Sequence, residues 1–187
     1  VFHENNPNYF PGPNHWQITA NSKTSCHSQP PVLASVILEM VKDGDDYDLK
    51  KSQSLFNSIM AYHEWFFLAR DPNNEGFLSI IHPWESGRDN CPDWDLGLKK
   101  VTIPEDFEEY LRCDTSHVEV SQRPTNEDYD KFMSIVQYGK NCNWDPLTMY
   151  NHGPFLAIDP GINFIFLKAN KDLLSLAKLL NYKNKIH

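Results

Sequence analysis

The sequence has 187 residues, 40% of them hydrophobic, 22% charged and 13% aromatic, the balance of a single globular domain and not of a disordered chain. Its formal net charge of −8 supplies no phosphate-neutralising surface, which argues against nucleic acid as a partner. No apolar run approaches the roughly 20 residues that span a bilayer, and the first residues are polar and rich in Pro, so neither a membrane span nor a leader is expected.

Residues 1–30 carry Pro7, Pro11, Pro13 and Pro30 among Asn and Ser, a composition that predicts extended loop. Tyr9, Phe10 and Trp16 cluster large aromatics there, either to line a pocket or to pack onto helix ends. Pro31 suits a first helical turn, where a missing N–H costs nothing. The spacing of Val32, Leu33, Val36, Ile37, Met40 and Val41 predicts one buried stripe on a helix over residues 31–42, stopped by Gly44. A second helix over residues 48–68 shows Leu55, Ile59, Tyr62 and Phe66 on one face, with Phe56, Met60, His63 and Phe67 beside them. The two form a helical hairpin, and His63 within that face reads as a hydrogen-bonded core histidine. Residues 71–76 are turn chemistry and residues 77–81 a short strand or extended segment. Pro104 introduces a short helix over residues 105–112. Thr125, with Asp128 three residues on, reads as the N-cap of a helix over 126–138 that turns Tyr129, Phe132, Met133 and Val136 inward. A loop fills residues 140–160. Asp159-Pro160 then opens a last helix running to 180, with Ile162, Ile165, Phe166, Ala169, Leu173, Leu176, Ala177 and Leu180 as its buried face. The class is all-α, with loops too long for a simple bundle.

The densest chemistry lies in His82-Pro83-Trp84-Glu85-Ser86-Gly87-Arg88-Asp89-Asn90-Cys91-Pro92-Asp93-Trp94-Asp95. Four carboxylates, a guanidinium, an imidazole and two indoles share this stretch, and its Gly and Pro residues forbid a long helix. Indole faces suit sugar rings, carboxylates and Arg suit hydroxyls, and one carboxyl can transfer a proton, so the stretch predicts carbohydrate chemistry. A surface turn that packs its Trp residues into the nearest core is the plainer alternative. A calcium site built on Glu85, Asp89, Asp93 and Asp95 is a further one, disfavoured by its spacing and by Arg88. Cys26, Cys91, Cys113 and Cys142 are scattered without zinc-ligand spacing. They predict free thiols in a reducing, cytoplasmic setting and no metal.

Glu85-Ser86-Gly87-Arg88-Asp89-Asn90, preceded by His82-Pro83-Trp84 and followed by Pro92 and Trp94, resembles a signature of the mannosylglycerate and glucosylglycerate hydrolases. These are glycoside hydrolases in the family of processing α-glucosidases, related to trehalases. Tyr9 to Pro13, Gln29 to Ala34, Arg123-Pro124-Thr125 with Tyr129-Asp130, Pro154-Phe155 with Asp159-Pro160, and Lys168 to Leu173 carry the same resemblance in order. It implies part of an (α/α)6 toroid and inverting hydrolysis of an α-linked glycoside. Asp89 takes the place of the general acid, and Gln29, Trp84, Glu85, Arg88 and Asn90 fall at substrate-binding positions, with Tyr9 and Trp16 as further pocket aromatics. Trp84 and Trp94 by desolvation, and Glu85 by like charge, would raise the pKa of Asp89. Arg88 is expected to point at substrate or at Glu85.

An inverting hydrolase needs a second carboxylate about 6.5 to 9.5 Å from the acid, and neither Asp93 nor Asp95 is marked out for that role. Residues 1–187 are therefore expected to be a partial catalytic domain lacking helices at both ends, partnered by the rest of that domain and by a small carbohydrate substrate, without a cofactor. The alternative is an inactive sugar-binding or structural fragment. Cys91 stands where Ser is usual in the resembled signature and Asp93 where Arg is common.

Overall fold

The computed structural model describes residue 16 and residues 25–44, 46–112 and 118–181. Its regular elements there are α1 (Leu33–Asp43), α2 (Asp46–Arg70), β1 (Ser79–Ile80), α3 (Asp95–Leu98), α4 (Asn126–Asn141), α5 (Pro146–His152), β2 (Ala157–Ile158) and α6 (Pro160–Leu179). The two-residue strands form one small sheet, and the all-α expectation holds. The chain divides into two compact units, Val1–Ser28 with Ile80–Ala157, and Gln29–Ser79 with Ile158–His187.

The second unit is α1, α2 and α6 around one apolar core of Ala34, Ile37, Leu38, Phe56, Ile59, Ala169, Leu173, Leu176, Ala177 and Leu180. Burying each of the large side chains contributes on the order of 1.5–3 kcal/mol. The small residues Ala34, Ala169 and Ala177 let α1 approach α6 closely. This corrects the predicted stripe of α1, because Val32, Leu33, Val36 and Met40 are 45–52% exposed. Apolar residues stand on nearly every side of α1, so periodicity alone admits more than one inward face. On α2 the same ambiguity leaves Leu55 and Phe67 exposed and buries Ser52, Phe56, Ile59, His63 and Phe66. His63 is a core residue as expected: its Nδ1 lies 2.7 Å from Asn170 Oδ1, and burial lowers its pKa. Asp159 caps α6 by accepting from Gly161 N at 2.8 Å. One turn on, Asn163 accepts from Leu78 N at 2.8 Å and donates to Leu78 O at 2.9 Å, holding the segment before β1 as a neighbouring strand would.

The first unit is built on α4. Thr125 accepts from Asp128 N at 3.1 Å as its N-cap, and Tyr129, Phe132, Met133 and Val136 are buried as their spacing predicts. Two expectations fail here. Residues 105–112 are not helical: Gln137 on α4 donates to Asp106 O and accepts from Glu108 N, both at 3.1 Å, satisfying with a side chain the backbone groups that a helix would have paired. Within the expected loop at 140–160, residues Pro146–His152 form α5, capped by Asp145, which accepts from Thr148 N at 2.8 Å, with Pro146 at the first turn. The connection from α4 to α5 passes Trp144 at φ +57°. Its indole covers Gly139, where a Cβ would lie 2.4 Å from the ring.

Candidate active site

His82 is fully buried and extended, and its Nδ1 accepts from Trp84 N at 3.0 Å to open a 3-10 turn over Pro83–Ser86. Its Nε2 lies 3.1 Å from Phe132 O on α4. The first bond requires a bare Nδ1, which leaves the proton on Nε2 to reach Phe132. Ser86 closes the turn by donating from Oγ to Pro83 O at 2.7 Å and accepting from Arg88 N at 3.0 Å. Between them Gly87 stands at φ +71°, a left-handed conformation that a side chain would strain. The chain then reverses through Arg88 to Cys91, with Cys91 N donating to Arg88 O at 3.0 Å. Trp94 Nε1 donates to the same oxygen at 3.0 Å. Asp89 and Asn90 occupy the tip of this tied-down turn.

Asp89 is half-buried on the wall of a pocket of about 210 Å³ shared with Asn90, Cys91, Asp95, Arg123, Asp128 and Phe132. Among the described residues its carboxyl makes no hydrogen bond or ion pair. Of the other carboxylates lining the pocket, Asp128 accepts the Thr125 hydroxyl at 2.6 Å, and Asp95 stands at the start of α3. Asn90 donates from Nδ2 to Gln122 O at 3.1 Å, tying the turn to the segment that brings Arg123. That segment is anchored from the other side by Arg112, which donates to Pro124 O at 2.7 Å and to Asn126 Oδ1 at 2.9 Å while lying over the Tyr129 ring. Arg123 is a pocket residue not singled out by composition or charge in its own stretch; its one signal in the sequence is the Arg-Pro-Thr run before α4.

The remaining predicted residues lie elsewhere. Glu85 is fully buried, its Oε1 accepting from Ser28 N and Ser28 Oγ, each at 2.8 Å, and its Oε2 from Ile81 N at 2.9 Å. Arg88 does not turn to Glu85: it donates to Asp93 Oδ2 at 3.0 Å and lies over the Trp94 ring at 5.1 Å. Cys91 and Arg88, hydrogen-bonding to Asp93, hold its carboxyl below the usual range. Both partners are exposed, so the pair adds little stability. Trp84 packs into an aromatic cluster with His27, His82, Tyr129 and Phe132. Trp16 joins that cluster, 6.5 Å from Trp84 and buried. Gln29 belongs to the second unit, where its backbone exchanges hydrogen bonds with the Tyr62 hydroxyl. Tyr9 lies outside the described residues. Among the described residues no group of three His, Cys, Asp or Glu could hold a metal ion, and no helix is long and apolar enough to cross a membrane.

This helical scaffold, with its Trp-flanked turn beside a pocket, is matched by a family of known proteins. The family model for the mannosylglycerate hydrolase MGH1-like glycoside hydrolase domain matches residues 1–187. Mannosylglycerate hydrolase of Thermus thermophilus is 42% identical over 184 residues, covering 96% of this chain and 44% of that protein. Glucosylglycerate hydrolase of Mycolicibacterium hassiacum is 31% identical over 160 residues, covering 78% and 36%. The crystal structure of a GH63 mannosylglycerate hydrolase from Thermus thermophilus in complex with Tris and D-glycerate superposes with a TM-score of 0.90 at 41% identity, covering 97% of this chain and 43% of that one. The chain thus has the helical architecture of part of an (α/α)6 toroid, and it belongs to the MGH1-like family of glycoside hydrolase domains. It spans less than half the length of the curated relatives it matches.

Proposed function

We propose that the protein carrying this chain hydrolyses the α-glycosidic bond of a small glycoside, glucosylglycerate or mannosylglycerate among them, with inversion and with Asp89 as general acid. The observation that carries this reading is the Asp89 carboxyl, held at the tip of a rigid turn, facing a pocket and unpartnered among the described residues. A proton donor must be fixed in direction yet free to meet the departing oxygen. Arg123 in the same pocket supplies a cation suited to the carboxylate of a glycerate moiety, in keeping with the D-glycerate named for the Thermus structure.

On this reading residues 1–187 are part of a catalytic domain, and its remaining helices supply the base about 6.5 to 9.5 Å from Asp89. Exposed apolar side chains on α1 (Leu33, Val36, Met40) and on α6 (Phe164, Leu167, Leu174) offer those helices a surface to pack on. A cytoplasmic location belongs to the same reading, supported by the free thiols Cys26, Cys91 and Cys142.

The test is turnover of glucosylglycerate and mannosylglycerate by the complete polypeptide and its Asp89→Asn form. Loss of general acid catalysis lowers the rate by about 10²–10⁴-fold. Equal rates for the two proteins sink the assignment, and sugar binding without turnover in the unaltered protein selects an inactive sugar-binding module instead.

A further inference from the structure

A fully buried carboxylate is costly unless donors converge on it. Glu85 meets that requirement with three: the Ser28 N–H and hydroxyl on one oxygen, and the Ile81 N–H on the other. Both oxygens must accept, which is a demand on chemistry and not on volume. Glutamine has the same shape but offers one accepting oxygen, and its NH₂ would face an N–H. Glu85 is absent from the wall of the Asp89 pocket, so the carboxylate has a task other than touching sugar.

That task follows from its place in the turn. Glu85 is the third residue of the 3-10 turn whose Ser86 hydroxyl ties Pro83 O to Arg88 N, and Arg88 O then anchors the reversal carrying Asp89. Three residues separate the two carboxylates, and every junction between them is fixed by a hydrogen bond or by the left-handed Gly87. A shift at Glu85 is therefore passed along a stiff path to Asp89 and is not absorbed by slack.

We propose that Glu85 is a positioning residue for Asp89, its carboxylate clamping Ser28 and Ile81 to the turn and so setting the direction from which the acid enters the pocket. The proposal rests on Asp89 being the general acid. A misplacement on the order of 1 Å costs about 10²-fold in rate.

The experiment compares two substrates in the complete polypeptide: the glycosylglycerate that the unaltered protein turns over, and the α-glycosyl fluoride of the same sugar. Fluoride departs with little help from an acid, so its hydrolysis does not need a well-aimed Asp89. Glu85→Gln is expected to lower kcat on the glycosylglycerate about 10²-fold with KM little changed, while fluoride hydrolysis stays within a few-fold of the unaltered protein. Ser28→Ala removes one donor from the edge of the clamp and is expected to show the same selective pattern at about tenfold. It carries the test if Glu85→Gln does not fold. Equal losses on both substrates would make the residue a general structural support and overturn the proposal, as would unaltered kcat in both variants. Asp89→Asn, run alongside, separates the two claims: if it keeps full glycosylglycerate activity, the acid assignment itself falls.

Discussion

His27 and His82 stack at 4.2 Å between ring centroids and 30° between planes, both buried, with the Trp84 indole against each. Burial, and next the neighbouring His27, depress the His82 pKa well below 6.5, outweighing the hydrogen bond to Phe132 O and the Glu85 charge. The sign follows from linkage. A histidine that is harder to protonate folded than unfolded costs no stability above pH 6.5 and costs progressively more as the pH falls below it. Melting temperature is therefore expected to drop between pH about 7.5 and about 5.5. His82→Asn, whose Oδ1 can still accept from Trp84 N, should flatten that slope even if it lowers stability at neutral pH. An unaltered slope would remove His82 as its source, leaving His63, depressed in the same direction by burial.

Gly139 sits inside α4, where alanine would ordinarily gain about 1 kcal/mol from helix propensity. The Trp144 ring occupies the space of the missing Cβ, with atoms at 2.4, 2.6 and 2.7 Å. That indole is held by donating Nε1 to Trp16 O at 2.9 Å, so it cannot swing aside freely. Overpacking costs about 1–3 kcal/mol and exceeds the propensity gain. Gly139→Ala is expected to be destabilising by urea unfolding; a stabilised variant would show that the ring moves at little cost.

The thiols should divide by reactivity. Burial pushes Cys26 up to about 12, so it holds almost no thiolate near neutral pH. Cys91 lines the Asp89 pocket and is partly exposed, with the Arg88 guanidinium at 3.4 Å. Brief maleimide treatment, read by peptide mass spectrometry, is expected to label Cys91 well before Cys26, and an adduct at Cys91 fills the pocket and stops turnover. Cys91→Ser should resist that inhibition while remaining active. Inhibition of the serine variant at the original rate would place the sensitive thiol elsewhere.

Caps and periodicity made much of this fold legible. Thr125 and Asp159 announce α4 and α6, because a side-chain acceptor before a helix satisfies an N–H that has no other partner, and the four inward residues of α4 follow from their spacing. Where α1 carries apolar residues on most sides, the pattern is degenerate, and the small residues at its contact with α6 decide which face turns in. The helix expected at 105–112 gave way to Gln137, a tertiary partner that local sequence cannot announce. Asp145-Pro146 is the same cap-and-first-turn pair that marked α6, yet the loop residues around it mask the signal, and the expectation of a loop over residues 140–160 misses α5.

The site was legible in a similar proportion. Residues 82–95 stand out by composition, and Asp89 and Asn90 do share a pocket. Composition treats its four carboxylates alike, however. Burial assigns Glu85 to the interior, ion pairing assigns Asp93 to Arg88, and the pocket takes Asp89 and Asp95. Arg123 reaches the pocket through the hydrogen bonds of Asn90 and Arg112, a relation of distant segments.

Both compact units are discontinuous in the chain: the first is left at Ser28 and resumed at Ile80, and the second is left at Ser79 and resumed at Ile158. A ribosome must therefore deliver all of α1 and α2 before Ser28 can meet Glu85, 57 residues later. It must deliver α4 and α5 before α6 can close the core of the helical hairpin. Each closure carries the entropy of a long loop, and contacts of such separation slow folding. The α1–α2 hairpin emerges with its apolar face open and waits for α6 to cover it. Until α6 is made, that open face is apolar surface of the kind that chaperones cover during synthesis.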